Sequence, residues 1–211
     1  MTFARPIDRG TTTGVAFADT PEDLMAFLKP SCAAAIWRRQ PAADFQDWID
    51  GLDPASLPQG RVVLRPDTVR TAVTQLCESA KTPQSPQLAR LIDDIDALAN
   101  IFANLMQAPY VRLRLQAVTS NACRKFHVDA IRARLVCTYR GQGTQYGLSV
   151  DGQDPAQVFS VPPGTPILLR GTQWPERPAA GLLHRSPPIE GTGETRLLLV
   201  LDAAGGPEDD M

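Results

Sequence analysis

Only two histidines and four cysteines occur among the 211 residues, and no two cysteines stand in C-x-x-C spacing. That spacing rules out ribbon-type zinc motifs and the dithiol redox motif. The chain also has no phosphate-binding P-loop, no G-x-G-x-x-G and no G-x-S-x-G, so nucleotide-binding and serine-hydrolase signatures are missing. No apolar run approaches membrane-spanning length, and the opening MTFARPIDRG lacks the apolar core of a secretory leader. A cytoplasmic location is therefore expected, with no membrane partner, and with Cys32, Cys77, Cys123 and Cys137 as free thiols. The formal net charge is −2 and no basic cluster occurs, which argues against nucleic acid as a partner. Proline is plentiful at nineteen residues and favours short elements over long ones.

Upstream of residue 107, helix signals dominate. Thr20, Pro21, Glu22 and Asp23 read as a helix start that Pro30 stops. Phe45, Trp48, Ile49 and Leu52 lie at helical spacing within 42–52, and Val69, Val73 and Leu76 do so within 67–79. Residues 61–65 read as a short strand, and 33–38 is ambiguous with a strand as one reading. The longest helix is predicted over 86–106, where Leu88, Leu91, Ile95, Leu98 and Phe102 form a wide apolar face. Such a face needs a large surface to cover, and the sheet that follows is the candidate.

After Pro109 the apolar period becomes that of strands. Runs at 110–118, 124–128, 131–139, 145–150, 157–161, 166–170, 181–185 and 195–201 are separated by Gly, Pro, Asn and Asp. Short strands at close spacing, with no helix between them, suit an antiparallel sandwich or barrel. Arg112, Arg114, Arg132 and Arg134 alternate along two of these runs. They read as a solvated outer face, with a cationic barrel face that attracts an anionic substrate as the alternative.

The chemistry-bearing pattern uses both histidines. In His127-Val128-Asp129 the first and third side chains project to one side of a strand, and His184 ends a later strand-like run. Two imidazoles and one carboxylate on one side of a metal leave coordination positions open, as non-haem iron(II) oxygenases require. Arg196 opens the following strand.

The order H-x-D, some fifty residues, H, then R about a dozen residues on resembles the Fe(II)- and 2-oxoglutarate-dependent oxygenases. The turn and strand at Pro163-Gly164-Thr165-Pro166-Ile167-Leu168-Leu169 resemble that family's segment before the distal histidine, so the likeness covers roughly residues 108–202. It implies iron ligands His127, Asp129 and His184, and Arg196 as the clamp on the far carboxylate of 2-oxoglutarate. Tyr139 and Tyr146 are available as further cosubstrate contacts, with Tyr139 the first choice. Leu198 stands where the family often carries a serine. The whole chain also resembles a bacterial family described only as a domain of unknown function, through Phe126-His127-Val128-Asp129 and Leu183-His184-Arg185-Ser186-Pro187-Pro188.

The expected fold is α+β: a C-terminal antiparallel double-stranded β-helix (a jelly-roll or cupin-like barrel) with a mainly helical N-terminal half packed on it. The expected divisions are a helical extension over 1–107, the barrel with its metal site over 108–203, and a disordered acidic tail over 204–211. The leading reading is an Fe(II)- and 2-oxoglutarate-dependent oxygenase acting on a small molecule or a protein side chain. The alternative is a non-catalytic metal-binding protein holding zinc, in which Cys123 or Cys137 supplies a thiolate; both cysteines are otherwise small buried hydrophobes. A third reading is a barrel that serves as an interaction scaffold. The N-terminal helices either cover the barrel or form a homodimer interface.

Overall fold

The computed structural model describes residues 14–149, 152–176, 181–206 and 208. Its longest helix, α3 (Pro86–Met106), starts and stops for local reasons. Ser85 Oγ accepts a hydrogen bond from the Leu88 amide, Pro86 occupies the first turn, and Gln107 turns left-handed at φ 51° to end the helix. Two shorter helices precede it, α1 (Ala43–Gly51) and α2 (Val69–Ser79). The expected first helix is a 3-10 segment, Glu22–Leu28.

The strands are β1 (Val15–Ala18), β2 (Ala34–Trp37), β3 (Gly60–Leu64), β4 (Tyr110–Val118), β5 (Ala133–Arg140), β6 (Gln145–Ser149), β7 (Phe159–Ser160), β8 (Pro166–Arg170), β9 (Gly181–Arg185) and β10 (Arg196–Ala204). They form a seven-stranded sheet in the order β1-β2-β8-β5-β10-β4-β3 and a three-stranded sheet β7-β6-β9. All pairings among these strands are antiparallel except β1 with β2. The chain is thus a mixed α/β fold, and its large sheet draws strands from both sides of residue 107.

The large sheet has two faces of different chemistry. On one, Val111, Leu113 and Leu115 of β4, Leu135 and Cys137 of β5, and Leu197, Leu199 and Leu201 of β10 pack in one core with the apolar stripe of α3. Alternation along each strand sends their neighbours to the other face, where Val136 and Val200 share a second, smaller core with Tyr146 of β6 and Leu182 of β9. The two sheets therefore pack on each other on the side away from α3.

One expected strand is absent. Residues 124–128 contribute only an isolated bridge at His127, because the segment that carries the triplet is a loop. Val150, at the end of the expected 145–150 run, lies outside the described residues, as do the first thirteen residues and half of the acidic tail (207 and 209–211). Ala204, the first residue of that expected tail, ends β10.

Leu98 is fully buried in the helix–sheet core. Leu98→Ala is expected to cost about 2–5 kcal/mol of stability, read as a lower urea midpoint at unchanged slope.

Candidate metal centre

Backbone pairing brings the two histidines together. The His127 amide donates to the His184 carbonyl at 3.0 Å, and the His184 amide donates back at 3.1 Å. They are thus directly opposed, with ring centroids 4.5 Å apart. The loop is held at other points too: Ser186 N donates to Cys123 O at 2.9 Å, and Thr172 N donates to Asp129 O at 2.9 Å. Gly171 sits where a Cβ would lie 1.9 Å from Ile131 O and 2.7 Å from Asp129 O, so only glycine lets the two backbones approach.

Asp129 completes the group. One ligand atom from each of His127, Asp129 and His184 lies within 4.8 Å of the others. His184 Nε2 is 3.1 Å from Asp129 Oδ2, and His127 Nε2 is 3.6 Å from Oδ1. The His127 Nδ1 stands 2.8 Å from Lys125 O, a contact that needs the proton on Nδ1 and leaves the Nε2 lone pair facing the carboxylate. Asp129 Oδ2 is buried and accepts no hydrogen bond. A carboxylate with one imidazole nitrogen near each oxygen, and a buried Oδ2 that accepts no well-aligned hydrogen bond, suits a divalent cation. The donor set fits iron or zinc.

The carboxylate is positioned by Arg134, one of the alternating arginines, and by Asp202, which the sequence pattern did not single out. Arg134 Nη1 meets Asp129 Oδ1 at 2.7 Å, while Nε and Nη2 of the same guanidinium grip Asp202 at 2.7 and 2.8 Å. Arg134 and Asp202 are register partners on β5 and β10. Burial pushes the Asp129 carboxyl up, but His184, Arg134 and His127 outweigh it and hold its pKa at about 2.

The arginine expectation is corrected in part. Arg114 and Arg134 are not on a solvated outer face: both line a pocket of about 100 Å³ that His127, His184, Val136 and Val200 share. Arg132 instead stacks over Trp174, 5.5 Å from the ring centroid. The signal for the inward face was the alternation Val111-Arg112-Leu113-Arg114-Leu115; only the covering sheet shows that the arginine side is enclosed too.

Arg196 is 1% exposed. It lies in line with Leu198 and Val200, which line the pocket, and its Nη2 donates to Thr138 Oγ1 at 3.3 Å. No carboxylate among the described residues forms an ion pair with it, and burial lowers its pKa to about 10. Tyr139 is a correction. Its position on β5 points it to the α3 face, where its hydroxyl donates to Asp94 Oδ2 at 2.7 Å beside a separate cavity of about 240 Å³. Tyr146, directly opposite His184 in the β6–β9 pair, lies on the histidine side of the large sheet. Cys137 also faces α3, fully buried with its pKa pushed up to about 12 by burial, so it cannot reach the histidines. Cys123 is exposed at the pocket rim and is not one of the three converging residues.

The family profile described as "Protein of unknown function (DUF1826)" matches residues 18–202. The chain belongs to that family. No curated protein matches the sequence. Among solved structures, the chain is similar to the dioxygenase for auxin oxidation 1 from Arabidopsis thaliana in its 2-oxoglutarate binary complex, with TM-score 0.54, 10% identity, and 93% of this chain and 94% of that chain covered. It is also similar to an oxidoreductase of the 2OG-Fe(II) oxygenase family from Burkholderia pseudomallei, with TM-score 0.48, 16% identity, and 93% and 97% covered. The rice dioxygenase for auxin oxidation gives TM-score 0.49, 13% identity, and 94% and 84% covered. The first of these similarities shows a shared fold. No helix among the described residues is long and apolar enough to cross a membrane.

Two outcomes are expected. Gly171→Ala shifts the loop that carries Asp129, so metal affinity falls by on the order of 10-fold or more while the thermal unfolding remains cooperative, measured by competition with a chromophoric chelator. Asp129 has a depressed folded-state pKa, so in the metal-free protein its ionised form contributes stability above its ordinary value of 3.8, and that contribution disappears as pH falls through about 2. Asp129→Asn should flatten this acid limb in urea titrations from pH 5 to 2.

Proposed function

We propose that this protein is an Fe(II)- and 2-oxoglutarate-dependent oxygenase acting on a small molecule or a protein side chain. The observation that carries the reading is the convergence of His127, Asp129 and His184, beside a pocket that both histidines line, with buried Arg196 on the same side of β10 as Leu198 and Val200 of that pocket. In this reading β8-β5-β10-β4 and β7-β6-β9 are the two sheets of a double-stranded β-helix over 108–203. The segment before residue 108 extends one sheet through β1, β2 and β3 and covers its outer face with helices.

Nε2 of His127, Nε2 of His184 and the Asp129 carboxylate hold the iron. Bound iron with 2-oxoglutarate supplies dioxygen activation and oxidation of a substrate C–H bond. The rest of the work belongs to the chain. Arg134 fixes the carboxylate and offsets its charge. Lys125 O orients the His127 ring and fixes its tautomer. Arg196 pairs with the far carboxylate of 2-oxoglutarate, for which a buried guanidinium already freed of water is suited. Tyr146 takes the place first given to Tyr139 as the nearby phenol. Val136, Val200 and Leu198 supply the apolar part of the pocket wall.

The zinc alternative with a thiolate ligand finds no support in the positions of Cys137 and Cys123. Anaerobic addition of iron(II) and then 2-oxoglutarate to the protein is expected to give a weak visible charge-transfer band. His127→Ala and His184→Ala should abolish stoichiometric iron, and Arg196→Met should weaken 2-oxoglutarate by roughly 10- to 100-fold while iron stays bound. A loaded wild-type protein that shows no band and no 2-oxoglutarate affinity overturns the assignment.

A further inference from the structure

Arg114 stands beside the metal centre on β4, directly across the strand pair from Val200. Its side chain lines the histidine pocket and is half-buried, and its Nε is fully occluded with no hydrogen-bond partner. Among the described residues it makes no hydrogen bond and no ion pair. The nearby carboxylates are already committed: Arg134 holds both Asp129 and Asp202. The next guanidinium at the pocket, Arg185, is engaged through Nε with Gln145 Oε1 at 2.8 Å and lies over the Phe126 ring. A cation partly withdrawn from water beside a second cation costs free energy that an arriving anion would offset. Burial, then Arg134, lowers the Arg114 pKa, the signature of that unmet demand.

The surroundings narrow the anion's chemistry. Val118, Val136, Leu198 and Val200 form the apolar part of the same small pocket, beside Gln116, Thr144 and Ser186, so the body that follows the charge is compact and presents an apolar face. A guanidinium edge matches a carboxylate with two parallel hydrogen bonds. We propose that Arg114 anchors the carboxylate of the primary substrate, a compact aryl or alkyl carboxylic acid, at the metal centre. This rests on the oxygenase reading, in which iron and Arg196 match the two carboxylates of 2-oxoglutarate and leave Arg114 for the second organic acid.

The test uses the full chain loaded with manganese(II), which does not turn over, and saturated with N-oxalylglycine in the cosubstrate position. Benzoate, phenylacetate and hexanoate are each compared with their primary amides by thermal shift and by calorimetry. At least one acid is expected to bind 10-fold or more tightly than its amide. Arg114→Gln should remove that preference, Arg114→Lys should keep part of it, and N-oxalylglycine affinity should stay within about twofold in both. Acids that bind no better than amides in the wild type, or a preference that survives Arg114→Gln, overturn the proposal. Loss of N-oxalylglycine in Arg114→Gln but not in Arg196→Met makes Arg114 the cosubstrate clamp, which overturns the proposal and leaves the oxygenase reading in place. A wild-type protein that binds no N-oxalylglycine overturns the oxygenase reading; the acid–amide comparison on the manganese form alone then still decides what Arg114 binds.

Discussion

Two backbone hydrogen bonds between His127 and His184 set the geometry of the centre. The loop over 119–130 has no strand of its own, so nothing in its local sequence holds it flat against β9. The reciprocal pair fixes one residue of the loop opposite one residue of the strand, and directly opposed residues carry their side chains to the same side. Asp129 follows two residues later, held by its own carbonyl to Thr172. Because Gly171 admits this approach and the Cβ of any other residue would block it, the geometry of the three side chains rests on backbone fit as much as on side-chain identity.

Electrostatics then stabilise what the backbone has placed. A partly buried carboxylate between two imidazoles is costly in water-poor surroundings. Arg134 offsets this by bridging Asp129 to Asp202, so the charge belongs to a three-residue network spanning the loop, β5 and β10. Such a network is stiff, since moving the loop separates ions already withdrawn from solvent. The same sheet that supplies Arg134 and Asp202 supplies the helix-packing core on its other side. Stability and chemistry are divided between the two faces of one sheet, and the period of two in each strand makes the division.

That division explains which expectations held. The helix over 86–106 and the strands over 110–118, 166–170 and 181–185 match the structure residue for residue, because capping, apolar period and flanking prolines are local signals. The strand expected over 124–128 does not form: its backbone pairing is confined to His127 with His184 of β9, a long-range partner that no local pattern encodes. Sequence left Tyr139 and Tyr146 both available, and parity along β5 turns Tyr139 toward Asp94 and α3. The arginines of β4 and β5 were visible as an alternating set, yet whether that side met water depended on a second sheet lying over it.

The sequence by itself determined the elements, the apolar stripe of α3, and the candidacy of two scarce histidines with one acid between them, since those follow from residue type and spacing. Only the tertiary structure decided that the three side chains converge, that Arg134 and Asp202 support them, and that Arg114 and Arg196 are enclosed on the metal side of the sheet. The physical reason is range. Helix and strand propensities act over a few residues, whereas the site is assembled by backbone pairing between positions 57 residues apart, His127 and His184, and by the closure of one sheet over another.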